Sequence, residues 1–273
     1  MELGQKMIII AEKINGTRAA VKTAILERNR AFIEALVVEQ AAAGANYIDV
    51  NAGTSPERET EDMLWLLDIV QALTELPVCI DSSSPATLAA ALEHVSQLPM
   101  VNSINADPHR LESFLPLISA AGCPVIALAL DESKSGMPKD NAERLENIAR
   151  IFAATRAAGI ADSRLYIDPL IMSVSTDTNA GLQALACISQ IHATYPEAHI
   201  TGGLSNISFG LPKRELVNRT FLTLAMAHGL DSAICDPGNV ALIESLKATD
   251  MILGRDRFCR RYTTAAKDGF SKI

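Results

Sequence analysis

Short apolar runs recur along this chain, and each is followed by a longer stretch rich in Ala, Leu and Glu. The runs are MIIIAE (7–12), YIDVN (47–51), VCIDS (78–82), MVNSI (100–104), PVIALAL (124–130), LYIDP (165–169), HITGGLS (199–205) and AICDP (233–237). Runs of this length between turn signals read as strands. The segments between them read as helices, among them AFIEALVVEQAAAG, ERETEDMLWLLDIVQALTE and AERLENIARIFAATRAAG. Gly44, Gly122, Gly159 and Gly229 fall where helices end, and glycine takes the left-handed conformation that a helix C-cap needs. Pro85, Pro108 and Pro212 fall near helix starts, where proline is tolerated. Eight strand–helix units in roughly 250 residues is the count of an α/β chain closed into a (β/α)8 TIM barrel. A doubly wound sheet needs fewer strands and a switch point. Without a linker or a shift in composition, residues 1–273 are expected to form one domain. The tail RDRFCRRYTTAAKDGFSKI reads as an extra amphipathic C-terminal helix.

Composition agrees with that architecture and excludes several functions. Hydrophobic residues are 48% of the chain and aromatic residues 4%, which suits parallel strands covered by helices better than a β-sandwich. The formal net charge is −8, and no basic run is longer than the two residues of Arg260-Arg261, so a nucleic-acid partner is not expected. The five cysteines (79, 123, 187, 235, 259) contain no CxxC pair. That spacing supports neither a disulfide framework nor a zinc knuckle, and four of them sit in apolar runs as core thiols do. The five histidines (94, 109, 192, 199, 228) lack ligand spacing, so no intrinsic metal is expected. No apolar run approaches about 18 residues and no signal-peptide pattern is present, so the expectation is a soluble cytoplasmic protein without a membrane partner.

Active sites of (β/α)8 barrels lie at the C-terminal ends of the strands. The polar residues there are Glu12 and Asn15, Asp49 and Asn51, Asp81 and Ser82, Asn102 and Asn105, Asp131, Asp168, Ser205 and Asn206, and Asp236. Ser82–Ser84 and Asp236 read equally well as helix N-caps. Asp168 and Asn102 sit in surroundings that stay apolar, and Asp81, Asn102 and Asp168 are the strongest candidates. Carboxylates and amides dominate, and cations are nearly absent. Gly202-Gly203 and Asp236-Pro237-Gly238 would accept a phosphate only weakly without an adjoining cation. No predicted strand carries a lysine for Schiff-base chemistry. A heterocycle with an amidine-like edge suits such a rim. The N2 amine and N3–H of a pterin are two parallel donors that one carboxylate accepts together, as it does from arginine.

The residues MIIIAEKING, YIDVNAG, VCIDSS, MVNSINA, SGMPKD, LYIDPLI, GGLSNIS and LVNRTFLTLAMAHGLDSAI, in that order, resemble the pterin-binding corrinoid-dependent methyltransferases. These include the methyltetrahydrofolate:corrinoid/iron–sulfur protein methyltransferases, the folate domain of cobalamin-dependent methionine synthase and the methylcorrinoid:tetrahydrofolate methyltransferases. The resemblance spans about residue 7 to about residue 260. It implies a pterin-binding barrel that forms a homodimer, with tetrahydrofolate or methyltetrahydrofolate as substrate. By position it implies that Asp81, Asn102 and Asp168 hold the pterin and that Asn206 reaches N5. Asp49 and Asn51 support the same pocket, and Ser205 and Arg214 lie toward the p-aminobenzoyl-glutamate tail. Phe209 stands where family members often carry a polar residue.

The activity implied is methyl transfer between N5 of tetrahydrofolate and the cobalt of a corrinoid, in the direction of methylcorrinoid to tetrahydrofolate. An asparagine suits either direction, because it accepts from N5–H or donates to N5 without titrating. The proton is expected to travel through water. Shuttle proteins hold cobalt through Asp-x-His-x-x-Gly. Asp107-Pro108-His109-Arg110-Leu111-Glu112 lacks the glycine and reads as a helix start. The corrinoid is therefore expected on a partner protein or as free cobalamin. Dihydropteroate synthases resemble this chain in fold but carry Ser-Arg-Lys after strand seven, where this chain has Ser205-Asn206-Ile207. Two alternatives stand beside the methyltransferase: a dihydropteroate-synthase-like or phosphosugar barrel enzyme, and a non-catalytic folate-binding subunit. Gly202-Gly203 is expected to let the backbone approach the ligand closely.

Overall fold

In a computed structural model, which describes residues 7–134 and 136–270, the eight apolar runs form eight parallel strands. They are β1 (Ile8–Asn15), β2 (Tyr47–Asn51), β3 (Val78–Asp81), β4 (Met100–Ile104), β5 (Val125–Leu128), β6 (Leu165–Asp168), β7 (His199–Ile200) and β8 (Ser232–Cys235). Their order is β7-β6-β5-β4-β3-β2-β1-β8. The ring closes between the two edge strands through backbone bonds. Ile234 N–H donates to the Gly202 carbonyl at 3.0 Å and Asp231 N–H to that of Ile200 at 3.3 Å.

Among the described residues ten α-helices surround the barrel: α1 (Ala19–Leu26), α2 (Arg30–Ala42), α3 (Pro56–Leu73), α4 (Pro85–His94), α5 (Pro108–Ala121), α6 (Asn141–Ala157), α7 (Ala180–Thr194), α8 (Arg214–His228), α9 (Val240–Ile252) and α10 (Arg260–Lys267). The last is the expected extra helix. Gly122 and Gly229 cap α5 and α8 in the left-handed conformation. Gly44 and Gly159 take it one residue past the caps of α2 and α6. Pro85 and Pro108 open their helices, whereas Pro212 lies outside α8. Asp107 accepts from His109 N–H at 2.8 Å and so starts α5.

The principal departure is at strand seven. HITGGLS was expected to be extended over seven residues, but β7 ends at Ile200 and Leu204–Ser208 coils into a 3₁₀ turn. Two glycines without side chains to pack end the strand there. Strand one runs longer than expected, to Asn15, with an irregular register between Ala11 and Ile14.

Two hydrophobic layers result. The larger lies between sheet and helices. The smaller lies inside the barrel, where Ile10, Cys79, Met100, Ile126 and Tyr166 form a plug, with Ile8, Tyr47, Leu128 and Ile234 against it. Side chains two residues apart on a strand share a face. Glu12, Asp49, Asp81, Asn102 and Asp168 therefore stand directly above plug residues, on the side where the strands end. Four cysteines are buried and Cys259 is exposed.

The loops after β1 and β2 meet backbone to backbone. Gly16 N–H donates to the Asn51 carbonyl at 2.8 Å, and a β-carbon on Gly16 would fall 1.9 Å from the Ala52 carbonyl oxygen. Gly16→Ala is expected to destabilise the protein by about 2 kcal/mol or more, through forced displacement of two loops. Gly159→Ala has open space around it and φ of +74°, so it is expected to lose about 1 kcal/mol from backbone strain alone. Urea unfolding of both variants checks the order; equal losses would show that the loop contact has slack.

Candidate active site

The plug gives the mouth of the barrel a dry floor, and dryness sets the charge state of the acids above it. Asp49 is buried on β2. Burial pushes its carboxyl well above the ordinary range, and the nearby Asp81 pushes it further. Asn102 opposes this, its amide donating to Asp49 Oδ1 at 3.2 Å. Asp81 on β3 is register partner to Asn102 on β4. Burial raises Asp81 to about 6, against a hydrogen bond from the Asn51 amide and with Glu59 adding to the rise. The Asn51 side-chain oxygen, Oδ1, is buried without a protein donor, so the pocket offers a ligand N–H an unused acceptor.

Asp168 stands across the barrel at the end of β6. Burial raises it to about 6, opposed by the backbone N–H groups of Leu170, Gly203 and Ile171. Leu170 donates to Oδ1 at 2.7 Å and takes a left-handed φ of +64°. Strain of this kind persists where surrounding structure enforces it, and here it wraps the loop back onto the carboxylate.

The segment after β7 completes the mouth. A β-carbon on Gly202 would lie 2.7 Å from Ile171 Cδ1 and 3.4 Å from Asp168 Oδ1, and one on Gly203 would lie 3.0 Å from the Asn206 amide nitrogen. These glycines thus make room for Ile171, Asp168 and Asn206, where close approach of backbone to ligand was expected. Asn206 sits in the 3₁₀ turn and is exposed. Arg214, expected near the ligand tail, is tied to this turn: Nη2 donates to the Ser205 carbonyl at 2.7 Å and Nε to Ser208 Oγ at 3.0 Å. Ser205 contributes that carbonyl to the tie. The turn is also fastened to the loop after β6, because Ser173 and Ser175 hydroxyls donate to the Phe209 carbonyl at 2.7 and 2.8 Å. The Phe209 ring is 68% exposed, with the Arg214 guanidinium 6.0 Å from its centre.

The remaining rim residues divide. Ser84 caps α4 by accepting from Thr87 N–H, while the Ser82 hydroxyl donates to Glu59. Asp236 is not the cap of α9; that is Asn239. Asp236 instead pairs with Lys13 at 3.1 Å, and Lys13 also reaches Glu39 at 2.7 Å. Asp131 is held by Arg150 and Ser133, which outweigh its desolvation and keep it below the ordinary range. Glu12 is among the strand-end residues to which sequence reasoning assigned no role. It stands two positions after plug residue Ile10, and that spacing was the available signal. Burial raises its carboxyl, opposed by Arg18. Among the described residues no group of three or more His, Cys, Asp or Glu side chains is placed to hold a metal ion, and no helix is long and apolar enough to cross a membrane.

Comparison with known proteins places this geometry among relatives. The sequence profile of the pterin binding enzymes matches residues 19–236. The chain is 41% identical over 263 residues to a methylcorrinoid:tetrahydrofolate methyltransferase of Eubacterium limosum, covering 96% of this chain and 97% of that one. It is 28% identical to methionine synthase of Mycobacterium tuberculosis over 84% of its own length, and spans 20% of that longer protein. Among solved structures, dihydropteroate synthase of Xanthomonas albilineans with 4-aminobenzoic acid superposes with a TM-score of 0.69 at 21% identity, covering 93% of this chain and 95% of that one. At that identity the likeness concerns the fold.

The buried acids make stability depend on pH. Asp168 has an ordinary value of 3.8 and titrates at about 6 when folded, so the folded chain takes up its proton first. Its stabilising contribution is whole below 3.8 and is lost as pH rises through about 6. Ligand-free stability is therefore expected to fall by up to about 3 kcal/mol between pH 4 and 7.5 on account of this group. In Asp168→Asn that part of the slope disappears. Urea titrations across the range check this, and an unchanged slope would locate the titration elsewhere.

Proposed function

Because the chain belongs to the pterin-binding enzyme family, we propose that it moves a methyl group from a methylcorrinoid to N5 of tetrahydrofolate. The observation that carries the reading is a neutral amide, Asn206, standing over a floor of buried carboxylates and amides. The near full-length likeness to a methylcorrinoid:tetrahydrofolate methyltransferase supports the same reaction.

The acids hold the heterocycle. The Asp168 carboxylate accepts the paired donors at N2 and N3, since its strand end and three backbone N–H groups fix its orientation. Asp81 and Asn102, side by side across β3 and β4, read further ring positions. The open Asn51 Oδ1 takes another ring N–H, and Asp49 orients the Asn102 amide by accepting from it. The pterin supplies protons to a cavity that is costly to leave charged.

In the transfer, the N5 lone pair attacks the methyl carbon in line. The cobalt–carbon electron pair stays with cobalt as Co(I), and N5 sheds its proton. Asn206 holds N5 by accepting its N–H through the side-chain oxygen, and in the reverse sense the amide donates. Being neutral, it favours neither protonation state of N5 strongly, which suits a reaction run near equilibrium. The corrinoid arrives as a co-substrate, on a partner protein or as free cobalamin, and the enzyme works as a cytoplasmic homodimer.

The likeness to dihydropteroate synthases concerns fold, and the site departs from a diphosphate-releasing one. Arg214, the cation nearest the turn after β7, is committed to Ser205 and Ser208. Mixing the protein with methylcobalamin and tetrahydrofolate, and separately with the reverse pair, tests the reading through the corrinoid spectrum. Conversion of methyl-Co(III) to Co(I) is expected. Folate binding without turnover, with a cognate corrinoid protein also supplied, would make the chain a binding subunit. Asn206→Ala is expected to slow transfer by about 100-fold while folate affinity changes by about threefold or less. Asp168→Asn is expected to weaken folate binding by about 10- to 100-fold. Stopped-flow and calorimetry separate the two, and a native rate in Asn206→Ala would remove it from the reaction.

A further inference from the structure

Methyl transfer leaves a proton to be moved at N5, and Asn206 does not titrate. The carboxylates of the floor are occupied: Asp49 with Asn102, Asp81 with Asn51, and Asp168 with backbone N–H groups. Glu12 differs from all three. It rises from β1 above Ile10, on the barrel's inner face, and lies near enough to Asp49 to affect it electrostatically. β8 separates β1 from the Asn206 turn, so Glu12 stands on that side of the mouth. Its side chain is 22% exposed, and its ion-pair contact is with the Arg18 guanidinium at 4.0 Å. It is thus a carboxyl within the pocket wall, in contact with solvent and not fixed by a short ion pair.

We propose that Glu12 is the acid–base group that carries the N5 proton between bound folate and solvent, deepening the methyltransferase reading on which this inference rests. In methylation of tetrahydrofolate, N5 attacks the methyl carbon and the cobalt–carbon pair remains on cobalt. The N5 proton passes to the Glu12 carboxylate, directly or through one water, and then to solvent. In demethylation, the Co(I) electron pair takes the methyl carbon, and protonated Glu12 donates to N5 as the N5–methyl bond breaks. The charges that face it are Arg18 before α1, Lys13 on its own strand, Arg214 on α8, Asp236 after β8 and Asp49 on β2, with the neutral Cys235 thiol below. The cations favour its ionised form; burial and the two aspartates oppose it. That balance leaves the carboxyl raised, which makes its carboxylate a stronger base than an ordinary one.

The test is single-turnover transfer from methylcobalamin to tetrahydrofolate, with both saturating, between pH 5 and 9. Glu12→Gln keeps the shape and removes the titration. Its rate is expected to fall about 100-fold, to lose the pH dependence of wild type, and to leave the folate Kd within about threefold. Glu12→Ala is expected to recover rate in proportion to added acetate or imidazole buffer. A Glu12→Gln enzyme with wild-type rate and profile overturns the proposal. So does a loss confined to folate affinity, which would make Glu12 a binding residue, or a rate loss without buffer rescue. If wild type binds folate but exchanges no methyl group with free or protein-bound corrinoid, the methyltransferase reading fails before Glu12 is in question.

Discussion

The mouth of this barrel depends on the layer beneath it. Ile10, Cys79, Met100, Ile126 and Tyr166 fill the interior, so water approaches the next layer from above only. Strand geometry then forces the residues two positions on to share that space. Glutamate, three aspartates and asparagine come to lie on an apolar floor. Their raised protonation follows from that floor, since burial leads the causes for Glu12, Asp49, Asp81 and Asp168. A leaky plug would hydrate these acids and return them to the ordinary range. They would then be poorer partners for a ligand that brings N–H donors, because solvent would compete for every bond.

Charge economy explains the choice of residues around that floor. Several carboxylates close together cannot all ionise in a dry cavity. Asp49 is driven well up, Asp81 and Asp168 to about 6, and Glu12 above its ordinary value. A ligand rich in N–H groups relieves this crowding, whereas an anionic one aggravates it. Phosphorylated sugars fit such a floor badly, and two cations of the mouth are already engaged: Lys13 with Glu39 and Asp236, Arg214 with the turn after β7. The same pairing fixes the turn that presents Asn206.

The strand ends were legible because period and length are local properties. YIDVN and MVNSI became β2 and β4 at their expected bounds, and Asp81, Asn102 and Asp168 were found where the barrel rule placed them. What escaped reading depends on neighbours distant in sequence. Asp236 looked like a helix cap, yet its partner Lys13 lies on the first strand. Arg214 was expected toward the ligand tail, and its tie to the Ser205 carbonyl nine residues earlier had no signal in the sequence. Gly202 and Gly203 suggested room for a ligand, and that room is taken by Ile171 and Asn206. The pairing of Ser173 and Ser175 with the Phe209 carbonyl crosses two loops, and no periodicity announces it. Glu12 was visible as a polar strand end; its inward position required knowing that Ile10 belongs to the plug.

The proposed separation of the group that positions N5 from the group that takes its proton has a physical advantage. A charged residue in contact with N5 would stabilise one protonation state throughout the cycle, and reaction in one direction would slow. An amide in contact, with a titrating carboxyl on a neighbouring strand, removes that bias. The Asn206 turn is held by Arg214 on one side and by the serine hydroxyls on the other, so the amide keeps its place without a charge of its own. Glu12 is partly open to solvent and is restored to either state between turnovers. Reversal of the reaction then requires no change in the fixed part of the site, only the opposite proton state of one side chain at the mouth.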